Sequence, residues 1–208
     1  PPELTGKMAV RVPLLEVLAS GAEIIAVNDM VGAEMEPTGR RVINGIKEEL
    51  QFAGLGYLEL NGSTEENMAT SQTSVAVTVI GLVDRSKLKI NSVNNNAILF
   101  GFGEPRMGKE LVEKPELEVT YEIIKQFVSR EEVLEIVPVG SKGILYEANL
   151  LAEMNEFTFT ESAACHSSWL HKSAGPATAV IIAVAEEDAP NFIQAYPEAY
   201  IVGKLIKK

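Results

Sequence analysis

Asn61-Gly-Ser-Thr-Glu-Glu-Asn67, followed by Ser74-Val-Ala-Val-Thr-Val-Ile-Gly-Leu-Val83, decides how the chain is read. The first stretch is a polar, glycine-containing turn with two adjacent carboxylates, two hydroxyls and two amides. The second is rich in β-branched residues over Val75–Val83 and reads as a buried strand. A polar loop held by a buried strand is a common place for phosphate or metal chemistry, because the strand fixes the loop while solvent reaches its tip. Taken alone, the same loop reads equally as a solvated turn between two strands.

Composition narrows the classes. With 208 residues, 46% of them hydrophobic, the chain can bury the core of one large domain or two modest ones. No apolar run reaches the ~18 residues of a membrane helix, and Pro-Pro-Glu-Leu at the start lacks the basic-then-apolar pattern of a secretory signal. Cys165 is the only cysteine. That excludes an internal disulfide, fits a reducing compartment and sets the expectation of a cytoplasmic protein. A net charge of −11, from 29 acidic and 18 basic residues, argues against a nucleic-acid partner, whose phosphates are neutralised by Lys and Arg. It does not argue against nucleotide–magnesium complexes, where carboxylates hold the metal.

In order, Met8, Val12, Leu15, Leu18 and Ala19 have helical spacing; Pro13 either starts that helix or kinks it, and Gly21 ends it. Ala22–Val27 predicts a strand that delivers Asn28 and Asp29 at its end, with Glu34 and Glu36 close behind. Thr38 can cap a helix whose stripe is Val42, Ile43, Ile46, Leu50 and Ala53. Tyr57–Leu60 and Ala97–Phe100 predict further strands. Gly101-Phe-Gly-Glu-Pro-Arg-Met-Gly108 lacks the ending of a nucleotide P-loop and is a boundary loop or a loose phosphate cradle.

Leu117, Tyr121, Ile124 and Val128 form the next stripe, and Glu135–Val139 a strand. Gly140-Ser141-Lys142-Gly143 then turns into a helix bearing Ile144, Leu145, Ala148, Leu151 and Ala152. Strand, glycine turn and helix N-terminus together suit an anion, with Lys142 adding charge; the glycines alone would also serve a tight turn. Phe157–Thr160, Ala177–Val184 and Tyr200–Ile206 predict strands, with a helix around Glu186–Ala195. Cys165, His166 and His171 lack the spacing of a zinc site and the orientation of a nucleophilic pair, so they read as core or loop residues. The result is α+β, two-layer, in two domains, 1–104 and 105–208, the second a ferredoxin-like sandwich with helices on one side.

The chain resembles the aminoimidazole ribonucleotide synthetase-like superfamily, and within it the synthetase-related proteins proposed as α-ribazole kinases. The likeness rests on Leu14-Leu-Glu-Val-Leu-Ala-Ser-Gly-Ala-Glu23, Asp29, Asn61–Asn67, Val139-Gly-Ser-Lys-Gly-Ile144, Ser173-Ala-Gly-Pro-Ala-Thr-Ala179 and Tyr200-Ile-Val-Gly-Lys204, and covers nearly the whole sequence. It implies an N-terminal domain whose sheet forms a barrel with a second copy in a homodimer, ATP and Mg2+ bound across it, and a C-terminal domain closing over a small-molecule substrate. It also implies a glycine-rich, Asp-bearing segment that helps hold ATP and would lie ahead of Pro1.

Carried over residue by residue, the resemblance places Glu16, Asp29 and the Gly62-Ser63-Thr64 loop at metal or phosphate positions. Ser63 stands where the superfamily usually has a carboxylate, so Glu65 or Glu66 would replace it as metal ligand. Asn61, Gly62, Ser63 and Thr64 would then hold the nucleotide, with Asp29 and Glu66 as catalytic residues. Gly140, Ser141, Lys142 and Gly143 would hold an anionic group. The expected activity is ATP- and magnesium-dependent phosphotransfer or synthesis on a ribosyl-type substrate. The alternative is a non-catalytic nucleotide-binding or assembly protein that retains the fold.

Overall fold

The computed structural model describes residues 1–163, 165 and 167–208, and the chain divides into two units, 1–17 with 22–83, and 18–21 with 84–208. His166 lies outside the described residues. In the first unit, helix α1 (Pro2–Ala19) packs on helix α2 (Arg40–Phe52). Their backbones meet at two glycines: a Cβ on Gly6 would lie 2.1 Å from the Val42 carbonyl oxygen, and one on Gly45 would lie 2.0 Å from that of Glu3. Arg41–Glu3 and Lys7–Glu48 ion pairs flank the contact. Pro13 sits inside α1, so the helix does not start there. Nor does Thr38 cap α2. A short π-helical turn, Met35–Gly39, precedes it, Gly39 occupies the cap position, and Thr38 donates to the Glu34 side chain instead.

Strands β1 (Glu23–Val31), β2 (Leu60–Thr64) and β3 (Val75–Leu82) form an open sheet in the order β2-β1-β3, with β1 parallel to β2 and antiparallel to β3. Val27 and Val31 of β1 are buried along with Val10, Leu14, Val42 and Ile46 of the helices. Three expectations change. β1 runs past Val27 to Val31, so Asp29 is inside the strand rather than after it. β2 starts at Leu60, so Asn61–Thr64 is strand rather than turn and Tyr57–Glu59 is not strand. β3 alternates half-buried and exposed residues instead of being buried throughout. A run of β-branched residues looks the same whether one face or both are covered, and here only one is. Among the described residues, the single chain closes no barrel.

The second unit contains β4 (Ala97–Phe102), α3 (Glu110–Glu113), α4 (Tyr121–Val128), β5 (Val133–Pro138), α5 (Ile144–Met154), β6 (Phe157–Glu161), α6 (Ser167–Leu170), β7 (Val180–Ala185), α7 (Ala189–Ala195) and β8 (Tyr200–Lys207). Its sheet is antiparallel, in the order β5-β7-β4-β8-β6. The ferredoxin-like alternation is carried by β4, α4, β5, β7, α7 and β8, with α5 and β6 added. β4 is thus the central strand of this sheet, and the division falls between Val83 and Asp84 rather than near residue 104.

Helices cover both faces of the sheet, not one. Leu99 of β4 packs in a core with Ile144, Ala148 and Leu151 of α5. Its neighbours Phe100 and Phe102 point the other way, to Phe192 of α7 and Phe127 of α4, with ring centroids 5.0 and 5.3 Å apart. Alternation along β4 supplies both layers. α4 starts at Tyr121, where Thr120 accepts a hydrogen bond from the Ile123 N–H, so Leu117 lies before it.

Candidate functional site

Asp29 points to the helix-covered face of β1, between Val27 and Val31, and is 2% exposed. Its Oδ2 has no hydrogen-bond partner among the described residues. Burial raises its pKa above the usual carboxylate range, opposed by its own backbone hydrogen bond and by the Lys47 charge. Opposite it in the β1–β2 register is Gly62. A Cβ there would lie 2.4 Å from Asp29 Oδ1 and 2.6 Å from the Asp29 carbonyl oxygen, so only glycine leaves the carboxylate room. A buried acid with an unused oxygen, beside a strand with no side chain at that point, is suited to meet a cation.

The rest of the polar stretch holds itself in place. Asn61 Oδ1 accepts from the Gly62 N–H at 2.9 Å, and the Glu65 N–H donates to the Ala33 carbonyl at 3.0 Å. Glu65 Oε1 accepts from the Asn67 N–H at 2.7 Å. Glu66 Oε1 accepts from the Met35 N–H at 2.6 Å and from the Thr64 hydroxyl at 3.2 Å. Both glutamates therefore bond the local backbone. Ser63 is exposed, in register with Met30, and Glu16 lies exposed on α1. Among the described residues, no three His, Cys, Asp or Glu side chains come together in a group that could hold a metal ion. The structure brings Gly62 to Asp29, and does not bring Glu16, Asp29, Glu65 and Glu66 into one cage. Magnesium commonly takes only one or two protein carboxylates besides phosphate and water, so Asp29 on its own still suits that ion.

The Gly140–Gly143 turn of the second unit leads into α5 as expected, with Gly143 at φ 85°. Its two charged neighbours are engaged within the turn. Glu147, in the first turn of α5, has its pKa raised by burial, while a hydrogen bond from the Gly140 backbone and the Lys142 charge act to lower it. Lys142 Nζ sits 4.0 Å from the centre of the Tyr146 ring. A carboxylate of the chain itself thus faces the N–H and ammonium groups read as an anion cradle, and Ser141 is exposed beside them. The sequence reading missed Glu147; an acidic residue in the first turn after such a glycine turn is the signal that finds it. It also missed the Asp29–Gly62 pairing, which depends on strand register.

No family model matches the chain, and no curated protein matches it. Solved structures do. HypE from E. coli, a hydrogenase maturation protein, superposes with a TM-score of 0.74 at 14% identity over 98% of this chain and 74% of its own. AaThiL, solved with AMPPCP and TMP, gives 0.70 at 15% over 100% and 75%. PurL from T. maritima, solved with AMPPCP, gives 0.69 at 15% over 99% of this chain and 38% of its own. Identities this low speak for the fold, and HypE, ThiL and PurL all carry the same one. The chain shares the fold of HypE, ThiL and PurL.

Proposed function

We propose that the chain binds an adenine nucleotide with magnesium at the β1–β2 sheet and transfers a phosphoryl group to, or activates, a small ribosyl-type substrate. The observation that carries this reading is the Asp29–Gly62 pair: a buried carboxylate with an oxygen unpartnered among the described residues, facing a residue whose side chain is excluded. The nucleotide analogue in the PurL and ThiL structures that share the fold supports the cofactor. Asp29 would hold the magnesium, which supplies charge compensation to phosphate oxygens when bound. Asn61 and the backbone of Gly62–Thr64 would position the nucleotide. Catalysis of this kind is mostly positioning and electrostatics, so no activated nucleophile is required. We assign the substrate class as ribosides, with α-ribazole the first to assay.

The exposed face of the first sheet supports a homodimer. Met30, Ile80 and Leu82 are 47%, 50% and 63% exposed on it, an apolar patch of the kind a second copy covers. A non-catalytic nucleotide-binding role is the second reading, and it is favoured by Ser63 and by the lack of a carboxylate cage among the described residues. Incubation of the protein with ATP, magnesium and candidate ribosides separates the two: phosphorylated product supports the enzyme, and nucleotide binding without turnover of any riboside supports the second reading.

A further inference from the structure

At one end of the second unit's sheet lies a cleft of about 800 Å³, the size of a small-molecule site. It opens where β4 ends and β8 begins, and takes part of its wall from the α7–β8 connection. Phe102, Trp169, Tyr196 and Tyr200 line it, with the Trp169 and Tyr200 rings edge to face, 5.3 Å between centroids. Three carboxylates share the lining, Glu104, Glu118 and Glu198, and among the described residues no lysine or arginine does.

Two of these carboxylates are tied down. Glu118 is bonded to the buried guanidinium of Arg106 at 2.6 Å, and Glu104 lies 3.4 Å from Lys114 Nζ. Glu198 makes no ion pair with a described residue. Tyr200 donates its hydroxyl to the Gly103 carbonyl at 3.1 Å, and burial raises its pKa, so the ring is fixed and stays neutral. One aromatic wall is already used this way: the Arg130 guanidinium lies 5.4 Å from the centre of the Tyr196 ring.

We propose that this cleft binds a small organic cation, an onium or protonated nitrogen group on an aromatic or alkyl body. The negative faces of the rings attract such a charge, and most strongly where water is partly excluded. Glu198, the lining carboxylate without an ion pair among the described residues, supplies the charge that attracts a cation and disfavours an anion. Apolar ring surface holds the body of the ligand. The chemistry selected here is opposite in sign to that of a phosphate, so this site is separate from the nucleotide reading and its test is independent of it.

Trp169 is the only tryptophan in the chain, so its fluorescence reports on the cleft directly. The experiment titrates the full protein with benzyltrimethylammonium, with its neutral carbon isostere neopentylbenzene within its solubility, and with benzoate. The expected result is saturable quenching by the cation, with affinity about tenfold or more above that for the neutral isostere, and none by benzoate. Glu198→Gln is on the surface and leaves the fold intact; it should weaken the cation about threefold and leave the isostere unchanged. Equal affinity for cation and isostere, no saturation in the millimolar range, or a cation affinity indifferent to Glu198→Gln would each overturn the proposal.

Discussion

Asp29 on β1 and Gly62 on β2 are register partners, and the carboxylate of the first fills the space that a side chain on the second would need. Neither residue explains itself alone. An isolated buried acid costs stability, and a glycine inside a strand weakens it; together they leave a buried carboxylate room on a rigid sheet, and the proposed metal role rests on that arrangement.

Gly62→Ala tests the fit. The added methyl would meet the Asp29 side chain and backbone at once, so relief by a side-chain rotation is blocked. We expect a loss of about 1–3 kcal/mol in denaturant unfolding, the usual range for overpacking, together with weaker magnesium-dependent nucleotide binding. An unchanged unfolding midpoint would contradict the geometry.

Asp29 also predicts a pH dependence. Its pKa is raised in the folded state by burial, so the neutral acid is the form the fold prefers. Stability from this group is fully present below the unfolded pKa and is lost as pH rises through the raised folded value. Asp29→Asn should therefore unfold at higher denaturant than the parent at neutral pH, with the two curves converging in acid. Metal binding should run the other way, strengthening as pH rises and the carboxylate ionises. A parent protein that is the more stable of the two at neutral pH would refute the burial argument.

Glu66 divides two roles. If it is a strut, accepting from the Met35 N–H and the Thr64 hydroxyl, the amide oxygen of Gln can replace it. Glu66→Gln should then keep nucleotide affinity, while Glu66→Ala loses both bonds and about 1–2 kcal/mol of stability. Affinity that falls equally in both variants would identify a metal ligand instead.

Element types were largely legible in the sequence, and so was the superfamily resemblance, because helix stripes such as Val42–Ile46–Leu50 and strands such as Tyr200–Ile206 depend on local period. What escaped was non-local. Whether one face of β3 is covered depends on where α1 and α2 pack, and Val75–Leu82 cannot say. That β4 is the centre of the second sheet depends on β7 and β8, residues distant in sequence. The paired role of Asp29 and Gly62 follows from a register that no single stretch encodes, and the apolar stripe of the helix after the Gly140 turn carries no sign of the Glu147 carboxylate.

The apolar face of the first sheet predicts association. Ile80→Glu puts a charge at its centre without touching the buried side of β3. Sedimentation should show a dimer for the parent and a monomer for the variant, with the far-UV spectrum unchanged. A parent that is monomeric at all accessible concentrations would contradict the dimer proposal.

The central claim is magnesium-assisted nucleotide binding through Asp29. Calorimetric titration of the full protein with ATP, with and without magnesium and in parallel on Asp29→Asn, tests it most directly. The account predicts binding that needs magnesium and falls about tenfold or more when the carboxylate is replaced by the amide. ATP binding of equal strength with and without magnesium, or an Asp29→Asn affinity equal to that of the parent, would contradict it.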